Sequence, residues 1–469
     1  MDTSRAASGQ SIILNLIWFG KKGREEVFMR GNILTVSIFV CCTLLYSYQT
    51  ELAGDPADVQ TQTEQGSVLM GGGSDVADAF RWMIDKSGGG DFVVIRYNSL
   101  GGYTDWIKGL GDLNSVETIA FENDNEAVNQ ELVDKIRNAE ALWMAGGNQG
   151  NYVDGWKDTP VEEAINYLIN EKKCPVGGTS AGCAVMTPVY WGATSGSWPQ
   201  NTGAEEALTN PVQSGRNGIG FNDFLMPPFL ENTISDQHYM QRSRQYRHIA
   251  MMAYIHSEGC APVKGIGCNE ATAVCIGPGG KAVVYGSRND SYAFFIKQYC
   301  AGPEIYQDNQ PLTWRGGFKV YKALGNSDGN HFMDLADWET TDGSGEELYW
   351  YVDNGTLHEE TSPYEPCAVK SRTPAARHTQ DTQLSIWHNK SGIVLRFFNS
   401  GDAVSGFVKI VDMRGRQIFH AMLPDVNKGW NCNVLNATRL PADLSGRCVI
   451  LSLGVGKKTF SSRFITELR

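Results

Sequence analysis

At 469 residues the chain is long enough for two or three folded units of about 150 residues each. Its residues are 42% hydrophobic, 10% aromatic and 20% charged, which suits a sizeable core and excludes a wholly disordered chain. A formal charge of −12 argues against general nucleic-acid binding, which needs a basic face, and against docking on anionic membranes. The eleven cysteines include no C-x-x-C pair, so neither a metal centre nor a cofactor is expected. Beyond Cys41 and Cys42 the number is odd. At least one thiol therefore stays free, whether the rest are buried thiols or, in an exported protein, form one or two disulfides.

In chain order, the first feature is the apolar run 33–46 (ILTVSIFVCCTLLY), preceded by Arg30 and followed by polar residues. It falls short of the roughly 20 residues that span a bilayer and has the layout of a secretory signal peptide. Met29 is an alternative start. Residues 55–65 are polar and turn-rich. Strands are then predicted at 67–70, 91–98, 116–122 and 141–147, alternating with helices at 75–84 and 130–139. Thr159, Pro160 and Glu162 read as an N-cap, a first-turn proline and a capping-box acid for a further helix. A last apolar strand ends in Gly177-Gly178. Such alternation predicts a parallel sheet with helices on both faces, and ligands bind at the carboxyl ends of its strands. Three glycine-rich ends (71–73, 146–147, 177–178) should converge on one cleft. Residues 363–383 read as a linker. Residues 384–469 alternate apolar and polar in short runs, which predicts a small β-sandwich. The Trp-, Tyr- and Gly-rich stretch 300–362 is an appendage of no recognisable type.

Gly178-Thr179-Ser180-Ala181-Gly182 matches G-x-S-x-G after an apolar strand and before a helix start. A sharp strand-to-helix turn of this kind exposes the serine Oγ and sets backbone N–H donors where an oxyanion would form. The same pattern also occurs in ordinary tight turns. A serine nucleophile needs a base. His248 and His256 fall on a predicted amphipathic helix, where satisfied or solvated histidines are usual. His238 ends the run NTISDQH and precedes Arg242, Arg244 and Arg247, a basic cluster in an acidic protein. Guanidinium forks of this kind bind carboxylates or pair with surface acids.

Together MGGGSD (70–75), AGGNQ (145–149), GGTSAGCAVM (177–186), SDQHYMQRSRQYR (235–247) and GIGCNEATAV (265–274) resemble the cyanophycinase family of serine peptidases, relatives of dipeptidase E and the class I glutamine amidotransferases. The resemblance covers roughly 65–300. It implies an α/β fold of the flavodoxin-like, amidotransferase-like kind and a Ser-His-Glu triad of Ser180, His238 and Glu206. Glu205 is the alternative, and Glu206 is favoured by its place before Ala207-Leu208. It further implies oxyanion amides at Gly147 and Ala181, and a pocket for a β-linked aspartyl group lined by Gln149, Asp236, Gln237, Arg242, Arg244 and Arg247. Asn269 departs from the family's aspartate, and 198–202 looks like an insertion. The implied partner is a peptide or polymer with β-linked aspartyl groups, and a homodimer is left open.

The tail segments VKIVDMRGRQI (408–418), LPADLSGRCVIL (440–451) and KKTFSSRFI (457–465) resemble a type IX secretion sorting domain, which implies contact with secretion machinery and a secreted or cell-surface location. The expected organisation is a signal region (1–50), a leader (51–66), a catalytic domain (67–362, core 67–300), a linker (363–383) and the sandwich (384–469). Competing readings are an α/β-hydrolase esterase, an amidotransferase with Cys183 near the serine, and a non-catalytic binding protein on the same scaffold.

Overall fold

The structure is a computed structural model that describes residues 48–193, 206–212, 218–364 and seven strands between 384 and 465. The apolar run 33–46, Glu205, the segment 198–202 and the linker from 365 onward lie outside the described residues.

The strands of the catalytic region, in chain order, are β1 (Gln49–Gly54), β2 (Gly66–Met70), β3 (Asp91–Tyr97), β4 (Ser115–Phe121), β5 (Ala141–Met144), β6 (Pro175–Thr179), β7 (Val189–Trp191), β8 (Ile219–Phe221) and β9 (Thr233–Asp236). There follow β10 (Lys264–Cys268), β11 (Thr272–Ile276), β12 (Lys281–Gly286), β13 (Tyr292–Gln298), β14 (Trp314–Leu324), β15 (Phe332–Asp334), β16 (Glu346–Asp353) and β17 (Thr356–Glu360). They form a nine-stranded sheet in the order β1-β4-β3-β5-β6-β2-β11-β12-β15, whose central strands β4, β3, β5, β6 and β2 run parallel. The expected α/β sheet is thus present, extended by antiparallel strands at both edges.

Burial explains why these segments are strands. Along β3, Phe92 and Val94 enter one core while Val93 and Ile95 enter another; along β5, Trp143 and Met144 divide in the same way. A period of two with both faces apolar means both faces are covered. The helix Ala77–Lys86 covers one, with Phe80 packed on Trp143 at 4.5 Å between ring centroids. The helices Gln130–Asn138 and Pro160–Tyr167 cover the other through Leu132, Ile136, Val161 and Ile165. Each such fully buried aliphatic or aromatic side chain contributes about 1.5–3 kcal/mol. The start of the helix Pro160–Tyr167 differs from the expected capping box. The Thr159 hydroxyl donates back to the Trp156 carbonyl, and the Glu162 carboxylate accepts from the Asp158 N–H instead.

The stretch 300–362, expected as an appendage of the catalytic domain, builds into both of its sheets. Its strands β14, β16 and β17 extend a second, eight-stranded sheet, β17-β16-β14-β13-β10-β9-β7-β8, and β15 joins the edge of the first. In this second sheet β10 and β7 flank β9 in parallel. One face shares a core with the first sheet through Ile266, Cys268 and Phe295; the other packs on the helix Gln245–Ser257 through Ile249, Met252, Ile296 and Val320.

Beyond the linker the chain is β-rich. Three antiparallel strands (Leu384–Asn389, Gly392–Asn399, Gly429–Asn436) form one sheet, and four (Val404–Asp412, Gln417–Val426, Cys448–Val455, Lys458–Ile465) form another. Among the described cysteines, Cys174, Cys183, Cys268 and Cys275 are buried free thiols, and Cys300 is disulfide-bonded.

Candidate active site

Ser180 sits between β6 and the short helix Ala181–Ala184 with φ 51° and ψ −106°. That conformation is strained for a residue with a Cβ, and such strain persists only where the surroundings enforce it. The enforcement is visible. The Ser180 N–H donates to the Met70 carbonyl of β2 (3.0 Å), and the Ser180 carbonyl accepts from Ala184 N–H (3.0 Å). A Cβ on Gly182 would come within 2.1 Å of the Met144 carbonyl, so the helix can follow the turn this closely only with glycine there. Ala181 is the first residue of that helix, so its N–H has no intrahelical acceptor.

His238 follows β9 by two residues and also has positive φ, at 48°. Its N–H donates to the Gly71 carbonyl (2.8 Å), which pins the residue to the glycine turn after β2. The ring nitrogen Nε2 lies 3.0 Å from Ser180 Oγ. Gly72, at φ +92°, passes so close that a Cβ there would stand 2.6 Å from the imidazole and 3.1 Å from Ser180 Cβ. Gly146, after β5, lies beside the serine from the other side, its Cβ position 3.6 Å from Ser180 Cβ; that of Gly147 faces the Tyr152 hydroxyl at 3.2 Å. The glycine-rich ends meet at the serine: besides Gly72 and Gly146, Gly178 near the end of β6 packs on Gly182 of the serine turn, while Gly177 gives way to Val68 and Trp143.

The acid on the histidine is Glu270, not Glu206. His238 Nδ1 lies 2.7 Å from Glu270 Oε1, whereas Glu206 opens the helix Glu206–Thr209 and is exposed. The reason is register. β9 and β10 are parallel with Asp236 beside Gly267, so the residues just past the two strand ends, 238 and 270, fall side by side. The expectation looked for an acid between serine and histidine in the chain. The usable signal was the glutamate in GIGCNEATAV, two residues beyond the end of β10. Ala271, next to Glu270, also has positive φ, at 55°. A neutral imidazole that donates Nδ1–H to the carboxylate presents the Nε2 lone pair to the serine hydroxyl. Burial pushes the His238 pKa down; the bond to Glu270 opposes this, and the charges of Arg242 and Arg244 add to the lowering. Net, it is below the usual histidine range, so the ring is the neutral base at pH 7.

The three arginines do not act as one cluster. Arg242 ends the turn Met240–Arg242 and is exposed. Arg247 is buried and forms a two-point pair with Asp236, Nε to Oδ2 at 2.7 Å and Nη2 to Oδ1, while its guanidinium lies 4.3 Å from the Trp191 ring centroid. The pair corrects the view of Asp236 and Arg247 as free substrate ligands: burial opposes the Asp236 charge, but Arg247 more than offsets it and holds the carboxyl below its usual range. Arg244 is different. It is 5% exposed, forms no ion pair among the described residues, and its pKa is pushed down to about 10, first by burial and then by Arg247. Arg244 Nε, Arg247 Nη1 and Gln237 Oε1 are buried polar atoms without a hydrogen-bond partner. Leaving such atoms unmet costs about 1–3 kcal/mol each, and a polar ligand would satisfy them. Gln149 is also buried, at the start of the helix Gln149–Trp156 and three residues past Gly146. His248 is a satisfied core histidine bonded to Tyr239 Oη and the Ile234 carbonyl, and His256 bonds Gln298.

Part of the chain is similar to known proteins. Residues 110–280 match the model of peptidase family S51. The chain is 31% identical over 144 residues to a cyanophycinase of Geminocystis herdmanii (strain PCC 6308), covering 30% of this chain and 44% of the relative. It is 24% identical over 184 residues to a cyanophycinase of Synechococcus elongatus, covering 39% and 50%. The chain thus spans about half the length of the curated relatives it matches. Among solved structures, a peptidase from an acI-B1 Actinobacterium aligns at a TM-score of 0.35 and 17% identity, over 49% of this chain and 90% of that one. The chain is thus similar, over residues 110–280, to peptidase family S51, and over shorter stretches to cyanophycinases.

Proposed function

We propose that this protein is an exported serine peptidase that hydrolyses β-aspartyl isopeptide bonds. The carrying observation is the continuous relay Ser180 Oγ–His238 Nε2 and His238 Nδ1–Glu270, set beside the buried Arg244, whose Nε has no hydrogen-bond partner among the described residues. Ser180 Oγ attacks the isopeptide carbonyl and passes its proton to His238 Nε2, while Glu270 stabilises the imidazolium. The tetrahedral oxyanion is received by the amides of Ala181 and Gly147. Collapse expels the amine, which takes the proton from His238, and leaves a seryl ester that water hydrolyses by the same base. Arg244 suits the α-carboxylate of the β-linked aspartyl residue, and Gln237 Oε1 suits an N–H donor next to it.

Export rests on Arg30 followed by the apolar run 33–46 and on the sorting-domain-like tail segments. An enzyme placed outside the cell meets a peptide or polymer there. The test is parallel incubation with cyanophycin, isoaspartyl dipeptides and p-nitrophenyl esters. Turnover of a β-aspartyl substrate with no effect on α-linked peptides is expected; turnover of esters alone would overturn the reading in favour of an esterase.

A further inference from the structure

The loop between β12 and β13, which carries the chain from the first sheet to the second, lies outside every motif that points to the active site, yet it meets the catalytic acid from behind. Arg288 Nη1 is 3.8 Å from Glu270 Oε2, the oxygen that His238 does not use, and Arg288 Nη2 donates to Asp290 Oδ2 at 2.8 Å. Gln241 Oε1 accepts from the Glu270 N–H (3.1 Å), and its amide donates to the same Asp290 oxygen (3.3 Å). Asn269 joins the two loops. Its Oδ1 accepts from Met240 N–H (3.0 Å), two residues past His238, and its Nδ2 donates to the Asp290 carbonyl (2.7 Å). Only an amide can do both, since a carboxylate has no donor for that carbonyl. Ser291 Oγ closes the set by donating to the Ala271 carbonyl (2.7 Å).

We propose that this loop is the outer support of the catalytic pair, with Arg288 as the positioning residue that holds Glu270 on His238. The inference rests on the Ser180–His238–Glu270 reading. Glu270 is 24% exposed on its side chain and would otherwise be free to swing into solvent. Arg288 has a second effect, because its charge disfavours the protonated imidazole. The charged groups that bear on His238 are Glu270, Arg242 and Arg244, with Arg288 and Asp290 behind the glutamate.

The experiment compares the parent with Arg288→Gln and Arg288→Lys. It uses kcat and KM on a β-aspartyl p-nitroanilide from pH 4.5 to 8 and an NMR titration of the His238 imidazole. Arg288 is exposed, so the variants should fold as the parent does, and melting curves are to check this. Arg288→Gln should lower kcat up to about fivefold with KM unchanged, the scale of a partly exposed ion pair. It should also raise the His238 midpoint by a few tenths of a unit, and lysine should restore both. An unmoved midpoint, or equal loss in both variants, would overturn the support role. The two failures are distinguishable. Turnover that survives Ser180→Ala would remove the hydrolase reading itself, while the imidazole titration still reports on Arg288.

Discussion

The two halves of the catalytic centre are built by different means. On the nucleophile side, main chain does the holding. Ser180 is strained, its amide and carbonyl are both bonded to backbone, and glycines 72, 146 and 182 press in from neighbouring turns. On the acid side, side chains do it: Glu270 is half-buried and braced by Gln241, Arg288 and the Asn269 bridge. Main-chain geometry depends on which residues are glycine within a short segment. Side-chain bracing depends on which loops the sheet register brings together. The first tolerates few substitutions and is local; the second is assembled from distant segments and is adjustable.

The largest effect should come from the nucleophile side. Ser180→Ala is expected to reduce kcat by roughly 10⁴-fold or more, as loss of a triad serine does elsewhere. Its stability should stay within about 1 kcal/mol of the parent, because the change is small and buries no new polar group. Activity close to the parent's would break the comparison at its root.

Next comes the acid. Glu270→Gln keeps the shape but loses the charge that fixes the tautomer and stabilises the imidazolium, which costs about 10³- to 10⁴-fold. Glu206→Gln, on an exposed residue, should be silent. Steady-state assay of both variants decides the matter. The reverse ranking would return the role to Glu206.

This contrast also explains what could be read without coordinates. The Ser180 turn was legible because Gly178, Ser180 and Gly182 lie within five residues and follow an apolar strand. His238 was legible as the one histidine outside a helix that ends a strand beside a basic cluster. Glu270 was not, because its place follows from β9 and β10 being parallel neighbours with Asp236 beside Gly267. The division of the arginines was hidden for a related reason. Asp236 takes Arg247 through a contact eleven residues away, and only that contact leaves Arg244, among the described residues, as the buried guanidinium with an unmet Nε. The stretch 300–362 defeated pattern reading because β14 is eleven residues long with an irregularity between Trp314 and Phe318, which breaks the period-two alternation that marks a strand.

A smaller effect is expected at the specificity pocket. Arg244→Ala should lower kcat/KM on β-aspartyl substrates by about 10- to 150-fold, the loss of one buried charge-assisted contact worth about 1.5–3 kcal/mol. Arg244→Lys should recover only part, because it keeps the charge without the fork. On an uncharged ester both variants should resemble the parent. Equal losses on both substrates would make Arg244 a fold residue and remove the pocket from the argument.

The smallest effect is a pH displacement, and its sign tests the electrostatics of the two halves together. The base must be neutral to accept the serine proton, so kcat/KM falls as pH drops through the His238 pKa in the free enzyme. Burial and the nearby arginines lower that pKa, so the acid limb should lie below the ordinary histidine value of about 6.5. Arg242 contributes to the lowering and is exposed, so it can be altered without disturbing the core. Arg242→Gln removes a cation that opposes protonation. The imidazole then protonates more readily, and the limb should move upward by a few tenths of a pH unit, since an exposed charge acts through solvent. Glu270→Gln removes an anion that favours protonation and should move the residual activity's limb the other way. The profiles should be measured at low and at high salt, where the Arg242 displacement shrinks. Displacements of the same sign in both variants would mean that the titrating group on the acid limb is not His238.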